Sequence, residues 1–346
     1  MIVDLPDTTT SKVSKKLMTL REQGGVTALG RVLTLVVVTK SGLEEEAIGA
    51  ANDASREHPC RIIVLASAGA EAQTCADSGM DAATRPGPAS GPAAGDRLDA
   101  QIRVGGDAGA SEVIVLRGYG RLAREDESLI AALLLPDAPI VAWWPHGAPE
   151  NARESSIGSI AHRRITDSAN EANPRAALER LHSAYRAGDT DLAWTRLTNW
   201  RIQVAAALDH IDPSTVTAAE VEGAPDSPSP LLMAAWLGAA LDVPVAAIAG
   251  PVRTGLRAVR LILGNGEIRL ERPGHAAAEL SHPGQPAQRI SLPRRSLRDC
   301  LAEELRRLDP DPVFGEVLAA VGRVIAEHDG GTPAGAAGRK DSLVPA

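Results

Sequence analysis

The run RVLTLVVVT, residues 31–39, decides the fold. After Arg31 it contains no charge, no Gly and no Pro, and Leu, Val and Thr fill it. β-Branched side chains lose rotamer freedom in a helix and pack well on a pleated surface, so the run reads as a strand. It is apolar almost throughout instead of alternating, as in a strand of a parallel sheet covered on both faces. Residues 43–57 follow with an acidic first turn, which suits the positive end of a helix. Then RIIVLAS, residues 61–67, repeats the buried-strand pattern.

The same alternation extends outward. Residues 11–22 form an amphipathic helix with Val13, Leu17 and Leu20 on one face. Residues 98–104 alternate like a half-buried strand, 112–116 and 138–144 read as strands, and 126–135 as a helix. This order predicts an α/β fold, a mostly parallel sheet covered by helices. RPGPASGPAAGDR, residues 85–97, reads as a long mobile loop. Residues 147–173, rich in charge and small side chains, separate the two halves. The second half reads as helices over 174–186 and on to about 209, a strand over 214–221, a helix over 229–241 and a short buried strand over 243–249. Further β runs cover 257–263, 267–271 and 288–292, with Asn265-Gly266 as a hairpin signal between the first two. Helices over 296–308 and 313–328 close the chain. The expectation is two α/β domains, residues 1–165 and 166–328, the second mixed with a β-hairpin, and a disordered tail over 329–346.

Composition limits the function. Aromatic residues make up 2% of the 346, so aliphatic side chains carry the core. A net charge of −8 argues against nucleic acid, whose phosphates require a basic surface. The three cysteines, Cys60, Cys75 and Cys300, form no CxxC pair, and an odd count suits a reducing cytoplasm. The N-terminus has no apolar core behind a basic start, so it does not read as a signal peptide. LLMAAWLGAALDVPVAAIAG, residues 231–250, holds Asp242, which in a bilayer would cost about 3 kcal/mol, and Pro244. It reads as a buried helix and strand, not as a membrane span.

Several motifs suggest chemistry, and each has a plainer reading. Gly118-x-Gly120-x-x-Ala123 follows a strand and formally fits the dinucleotide fingerprint, but helical text begins only near Asp126. A strand-end turn is the plainer reading. Asp189-Thr-Asp191 offers two carboxylates where a hard cation needs several oxygens; helix capping is the plainer reading. From there Ala193, Leu197, Trp200, Val204 and Leu208 share one helical face, leaving Trp194 and Arg196 without a settled role. Trp143 and Trp144 fall on opposite faces of one strand, and Trp is enriched at interaction hot spots. Trp143, Trp144, Trp194 and Arg196 are therefore candidate partner-binding residues. Arg163 and Arg164, beside His162, are a candidate anion site, for instance for a sugar phosphate; a solvated, ion-paired surface is the plainer reading. Cys75, in looser text, is the candidate redox thiol. No HExxH, Gly-x-Ser-x-Gly or Walker loop occurs, so no catalytic residue, metal ligand or cofactor is assigned.

Six segments together resemble the actinobacterial form of the glucose-6-phosphate dehydrogenase assembly protein (OpcA) family. They are MIVDLPDTTTSKVSKKL (1–17), GRVLTLVVVT (30–39), EAIGAANDASREHPCRIIVL (46–65), DAPIVAWWP (137–145), RRITDSA (163–169) and GDTDLAWTRLTNWR (188–201). The resemblance implies a non-catalytic, cytoplasmic partner that promotes assembly or full activity of glucose-6-phosphate dehydrogenase, the NADPH-producing entry to the pentose phosphate pathway. It also implies redox tuning, as in cyanobacterial relatives linked to thioredoxin.

Overall fold

The computed structural model describes residues 1–24, 32–67, 95–104, 112–209, 211–274 and 276–329. The expected mobile loop over 85–97 falls mostly outside these residues, and so do Cys75 and the tail beyond 329. By internal packing the chain divides into two units. One comprises Met1–Thr198 with Arg294–Gly315, the other Asn199–Pro293 with the residues from Glu316 onward.

The first unit is built on one sheet. Its strands are β1 (Ile2–Leu5), β2 (Leu33–Lys40), β3 (Cys60–Ser67), β4 (Arg97–Arg103), β5 (Glu112–Tyr119), β6 (Ile140–Trp143), β7 (Arg163–Thr166) and β8 (Asp189–Asp191). Their spatial order is β1-β4-β5-β3-β2-β6-β7-β8. From β5 to β8 every neighbouring pair is parallel, and β4 and β1 close one edge antiparallel. The helices are α1 (Thr10–Gly24), α2 (Glu44–Ala54), α3 (Ser156–Ile160), α4 (Pro174–Ala184), α5 (Leu192–Thr195) and, from later in the chain, α8 (Leu297–Arg306). The expected division after residue 165 falls inside β7, which pairs with both β6 and β8 of this sheet.

The uninterrupted apolar run explains the two-sided core. Leu33, Leu35 and Val37 of β2 join Ile62, Val64, Val113, Val115, Val141 and Trp143 on one face, under α2 and α8. Val36 joins Ile63, Ile114, Leu116, Ala142 and Trp144 on the other, with Val13, Leu17 and Leu20 of α1. The two-residue period of a strand produces this sorting. Each such aliphatic side chain contributes about 1.5–3 kcal/mol when fully buried.

Residues 126–135 depart from the expected helix and form two 3-10 turns, Glu127–Leu129 and Ala131–Leu133. Tertiary bonds replace helical ones: the Leu133 carbonyl accepts from Arg61, and the Leu135 amide donates to Thr34 Oγ1 at 3.3 Å.

The second unit carries a mixed sheet, β9 (Val216–Gly223), β10 (Val245–Ala249), β11 (Leu256–Leu263), β12 (Gly266–Glu271), β13 (Ala277–Ser281) and β14 (Gln288–Ser291). The order is β10-β9-β11-β12-β13-β14, with only β10 and β9 parallel. Its helices are α7 (Ser229–Leu241), α6 (Thr198–Leu208) from Asn199 on and α9 (Pro312–Asp329) from Glu316 on; the first turn of α9 belongs to the first unit. The β11–β12 hairpin forms as expected, but Leu263 pairs with Gly266, so the two-residue loop is Gly264-Asn265. The strand expected to be buried over 243–249 is half exposed, because β10 is a sheet edge. Among the described residues no helix is long and apolar enough to cross a membrane.

Candidate functional site

The polar cluster of the first unit grows from the pairing of β7 with β8. Their register sets Arg164 opposite Asp189 and Thr166 opposite Asp191. Arg164, 2% exposed, donates through Nε to Asp189 and through its two Nη atoms to the Ala161 and Ala187 carbonyls at 3.0 and 2.7 Å. Gly188 precedes this pair at φ +96°; a Cβ there would stand 2.8 Å from the His162 carbonyl oxygen and 2.9 Å from the Arg164 guanidinium. Only glycine suits both that backbone and that contact.

Asp191 is a hub. Its carboxylate accepts from Thr166 Oγ1 at 2.6 Å, the Ser168 amide at 2.9 Å, Ser168 Oγ at 2.8 Å and the Ala193 amide at 2.8 Å. The last bond caps α5, as the spacing suggests. Beside it Arg196 clamps Asp167 with two bonds of 2.6 and 2.7 Å. Burial acts against the Arg196 charge, but the Asp167 carboxylate outweighs it and holds the guanidinium above its ordinary value. Arg163 donates to Glu304 of α8 and to the Asp309 carbonyl, and Glu304 accepts also from Thr195.

These pairings revise the sequence-based assignments. Arg163 and Arg164, 3% and 2% exposed, are bound to carboxylates and carbonyls within the chain, which leaves no guanidinium face for an outside anion. Trp194, 1% exposed, donates Nε1 to Asp311 at 2.9 Å, and its ring lies 5.8 Å from that of Phe314. Trp143 and Trp144, 0% and 1% exposed, fill the two opposite cores of the sheet. The three tryptophans therefore anchor the interior and do not present a docking surface. Arg196 keeps partial exposure, but Asp167 holds its guanidinium. The structure brings Arg163, Arg164, Trp194 and Arg196 together around β7, β8 and α5. Their partners Glu304 and Asp311 lie more than 100 residues away in sequence, and no local pattern marks them.

The cavity beside Thr166, Ser168, Asp189 and Asp191 measures about 20 Å³. That is room for one water and not for a sugar phosphate. Asp189 and Asp191 direct their oxygens at Arg164, at hydroxyls and at amides, so capping and ion pairing account for both. Among the described residues no group of three His, Cys, Asp or Glu side chains is placed to hold a metal ion. Cys60 and Cys300 are both buried. Burial pushes the Cys300 thiol up to about 11, against the pull of Arg295 and Arg196.

The Gly118-x-Gly120 turn has a structural use. β5 runs through Gly118, and Gly120, at φ +64°, starts a four-residue 3-10 turn, Gly120–Ala123. A Cβ on Gly118 would lie 1.8 Å from the Leu122 carbonyl oxygen. The chain's own backbone thus occupies the approach that the fingerprint reserves for a pyrophosphate, and no long helix opens there to supply amides. A hollow of about 210 Å³ adjoins the turn, smaller than the roughly 300–1,000 Å³ usual for ligand pockets.

Two domain families match the chain, both of them domains of the glucose-6-phosphate dehydrogenase subunit. Residues 51–183 match its N-terminal domain, and residues 187–318 match its C-terminal domain. No curated protein matches the chain. Solved structures similar to it include an oxidoreductase from Sinorhizobium meliloti, at 10% identity and a TM-score of 0.45, covering 86% of this chain and 97% of that one. Another is an inositol dehydrogenase homolog, complexed with NADH and myo-inositol, from Azotobacter vinelandii, at 10% identity and a TM-score of 0.40, covering 88% and 91%. Likeness at that level carries no conclusion about activity. The two domain matches follow one another across residues 51–318, and they place this chain in the glucose-6-phosphate dehydrogenase assembly (OpcA) family.

Proposed function

We propose that this chain is a non-catalytic partner of glucose-6-phosphate dehydrogenase that favours an active conformation or assembly of that enzyme. The observation that carries this reading is the pair of consecutive domain matches. The cluster around Asp191 adds physical support, because its carboxylates and guanidiniums are engaged with one another and act as scaffold. The proposed setting is the cytoplasm and the pentose phosphate pathway. Activation of this kind requires that the chain bind the active state of the dehydrogenase more tightly than the inactive one. A tenfold difference in affinity corresponds to about 1.4 kcal/mol of coupling.

Size-exclusion chromatography of the chain mixed with the dehydrogenase of the same organism tests this. Co-elution at a fixed stoichiometry is the expected result, and separate elution at micromolar concentrations rejects the proposal. The rival reading is a nucleotide-binding protein using the Gly118-x-Gly120 turn. It predicts micromolar NADP binding by calorimetry, which is not expected here.

A further inference from the structure

The strand order of the first sheet marks a second place where a phosphate could sit. Its mutually parallel strands, in chain order, are β2, β3, β5, β6, β7 and β8. In space they run third, second, first, fourth, fifth, sixth. That is the order of the doubly wound dinucleotide folds. The winding reverses between β2 and β6, and ligands of such sheets bind outside the carboxyl ends of the strands at that point. The pyrophosphate rests on the start of the helix that follows the first strand. Here that helix is α2, and the turn before it is Ser41-Gly42-Leu43. The Gly118 turn follows the third strand, away from this position.

The turn before α2 keeps the parts of an anion site. Gly42 has φ +92°, and a Cβ added to it would meet nothing within 4 Å, so its backbone is open to close approach. The first amides of α2 have no intrahelical partner, and the N-cap residue, Leu43, gives them no side-chain acceptor. At the end of β2 the Thr39 hydroxyl, on a residue 3% exposed, has no hydrogen-bond partner among the described residues. The two-residue period of a strand sets Thr39 on the face of Leu35 and Val37, which α2 covers.

An anion already occupies this place. Glu44, the first residue of α2, is 6% exposed and accepts from the Gly42 amide through one carboxylate oxygen. The other oxygen accepts from Arg117 Nε at 3.0 Å, and Arg117 comes from β5, two strands from β2. The helix dipole does not require this burial, because the exposed Glu45 and Glu46 supply negative charge to the same turn from the surface. A buried carboxylate is costly unless it is paired and hydrogen-bonded, and Gly42 and Arg117 supply both.

We propose that Glu44 is a built-in substitute for a phosphate. Its carboxylate takes, on Gly42 and Arg117, the position of the pyrophosphate in dinucleotide folds, and it closes the crevice to nucleotides. Removing that carboxylate opens a site for pyrophosphate formed by the Gly42 amide, the first amides of α2 and the Arg117 guanidinium. Glu45 and Glu46 remain beside it and hold the affinity to the millimolar range. The inference does not rest on the dehydrogenase reading, and its test uses this chain alone.

Thermal melting of the full chain in inorganic pyrophosphate, against chloride at equal ionic strength, tests the proposal. Wild type should show only the small rise that an excluded anion gives any fold. Glu44→Ala should melt below wild type in chloride, and in pyrophosphate it should gain, saturably, about 2 °C or more beyond the wild-type rise. Glu44→Gln keeps an oxygen for the Gly42 amide and should respond like wild type. Glu44→Ala/Arg117→Met should lose the extra gain. Equal gains in wild type and Glu44→Ala, an extra gain in Glu44→Gln, or an extra gain that survives Arg117→Met overturns the proposal. If Glu44→Ala does not fold in chloride, refolding it in pyrophosphate reads the same site, and failure in both overturns the proposal.

Discussion

Arg163 of β7 and Glu304 of α8 meet as a buried ion pair although 141 residues separate them in sequence. The bond ties the last helix of the first unit to the sheet formed by its opening residues. Removing one partner leaves an uncompensated buried charge, which costs about 3–5 kcal/mol, whereas an apolar replacement of both can be neutral. Arg163→Ala and Glu304→Ala should each lose about that much stability in urea unfolding. Arg163→Met/Glu304→Leu should recover most of it.

Asp191 holds together a strand end, a turn and a helix start through its four accepted bonds. Asp191→Ala orphans the buried Ser168 and Ala193 amides and the Ser168 hydroxyl, while the Thr166 hydroxyl keeps the Thr190 carbonyl. At about 1–3 kcal/mol per unsatisfied buried group, the loss should reach at least about 3 kcal/mol. Asp191→Asn retains the shape and should lose less. The urea midpoint at constant slope measures both changes.

Gly118→Ala discriminates between a structural turn and a nucleotide site. The added methyl would collide with the Leu122 carbonyl. The melting temperature should fall by several degrees, equivalent to about 1–3 kcal/mol of overpacking. NADP should leave the melting temperature of both wild type and variant unchanged. A rise with NADP in wild type alone contradicts the structural reading.

The Cys300 thiol makes a pH prediction. Its value in the fold, about 11, lies above the ordinary cysteine value near 9. Folding therefore favours the neutral thiol. That contribution to stability is complete below pH 9 and is lost as the pH rises through 11. At pH 8 the native thiol should alkylate far more slowly than the same thiol in urea, because the thiolate is the reacting form. Mass spectrometry of iodoacetamide-treated protein checks this.

The parallel sheet and its helices were legible because RVLTLVVVT and RIIVLAS carry a long, unambiguous pattern. Strand β7 was not, since four residues starting with two arginines show no apolar period; burial of those arginines depends on Asp189 and Glu304. That Asp189-Thr-Asp191 caps a helix was legible in its spacing; that Asp191 is the residue that does so was not. The burial of Trp194 was not, because Asp311 and Phe314 reach it from more than 100 residues away. The exposure of β10 was not legible either: VAAIA reads the same at a sheet centre and at an edge, and only strand order separates them.

Whether this chain activates its dehydrogenase is read by titrating it into that enzyme at subsaturating glucose-6-phosphate and following NADPH formation. An activating partner gives a saturable rise in initial rate that levels off at a fixed stoichiometric ratio and is absent when the chain is added alone with substrate and NADP. A rate that stays unchanged across the titration and across substrate concentrations contradicts it.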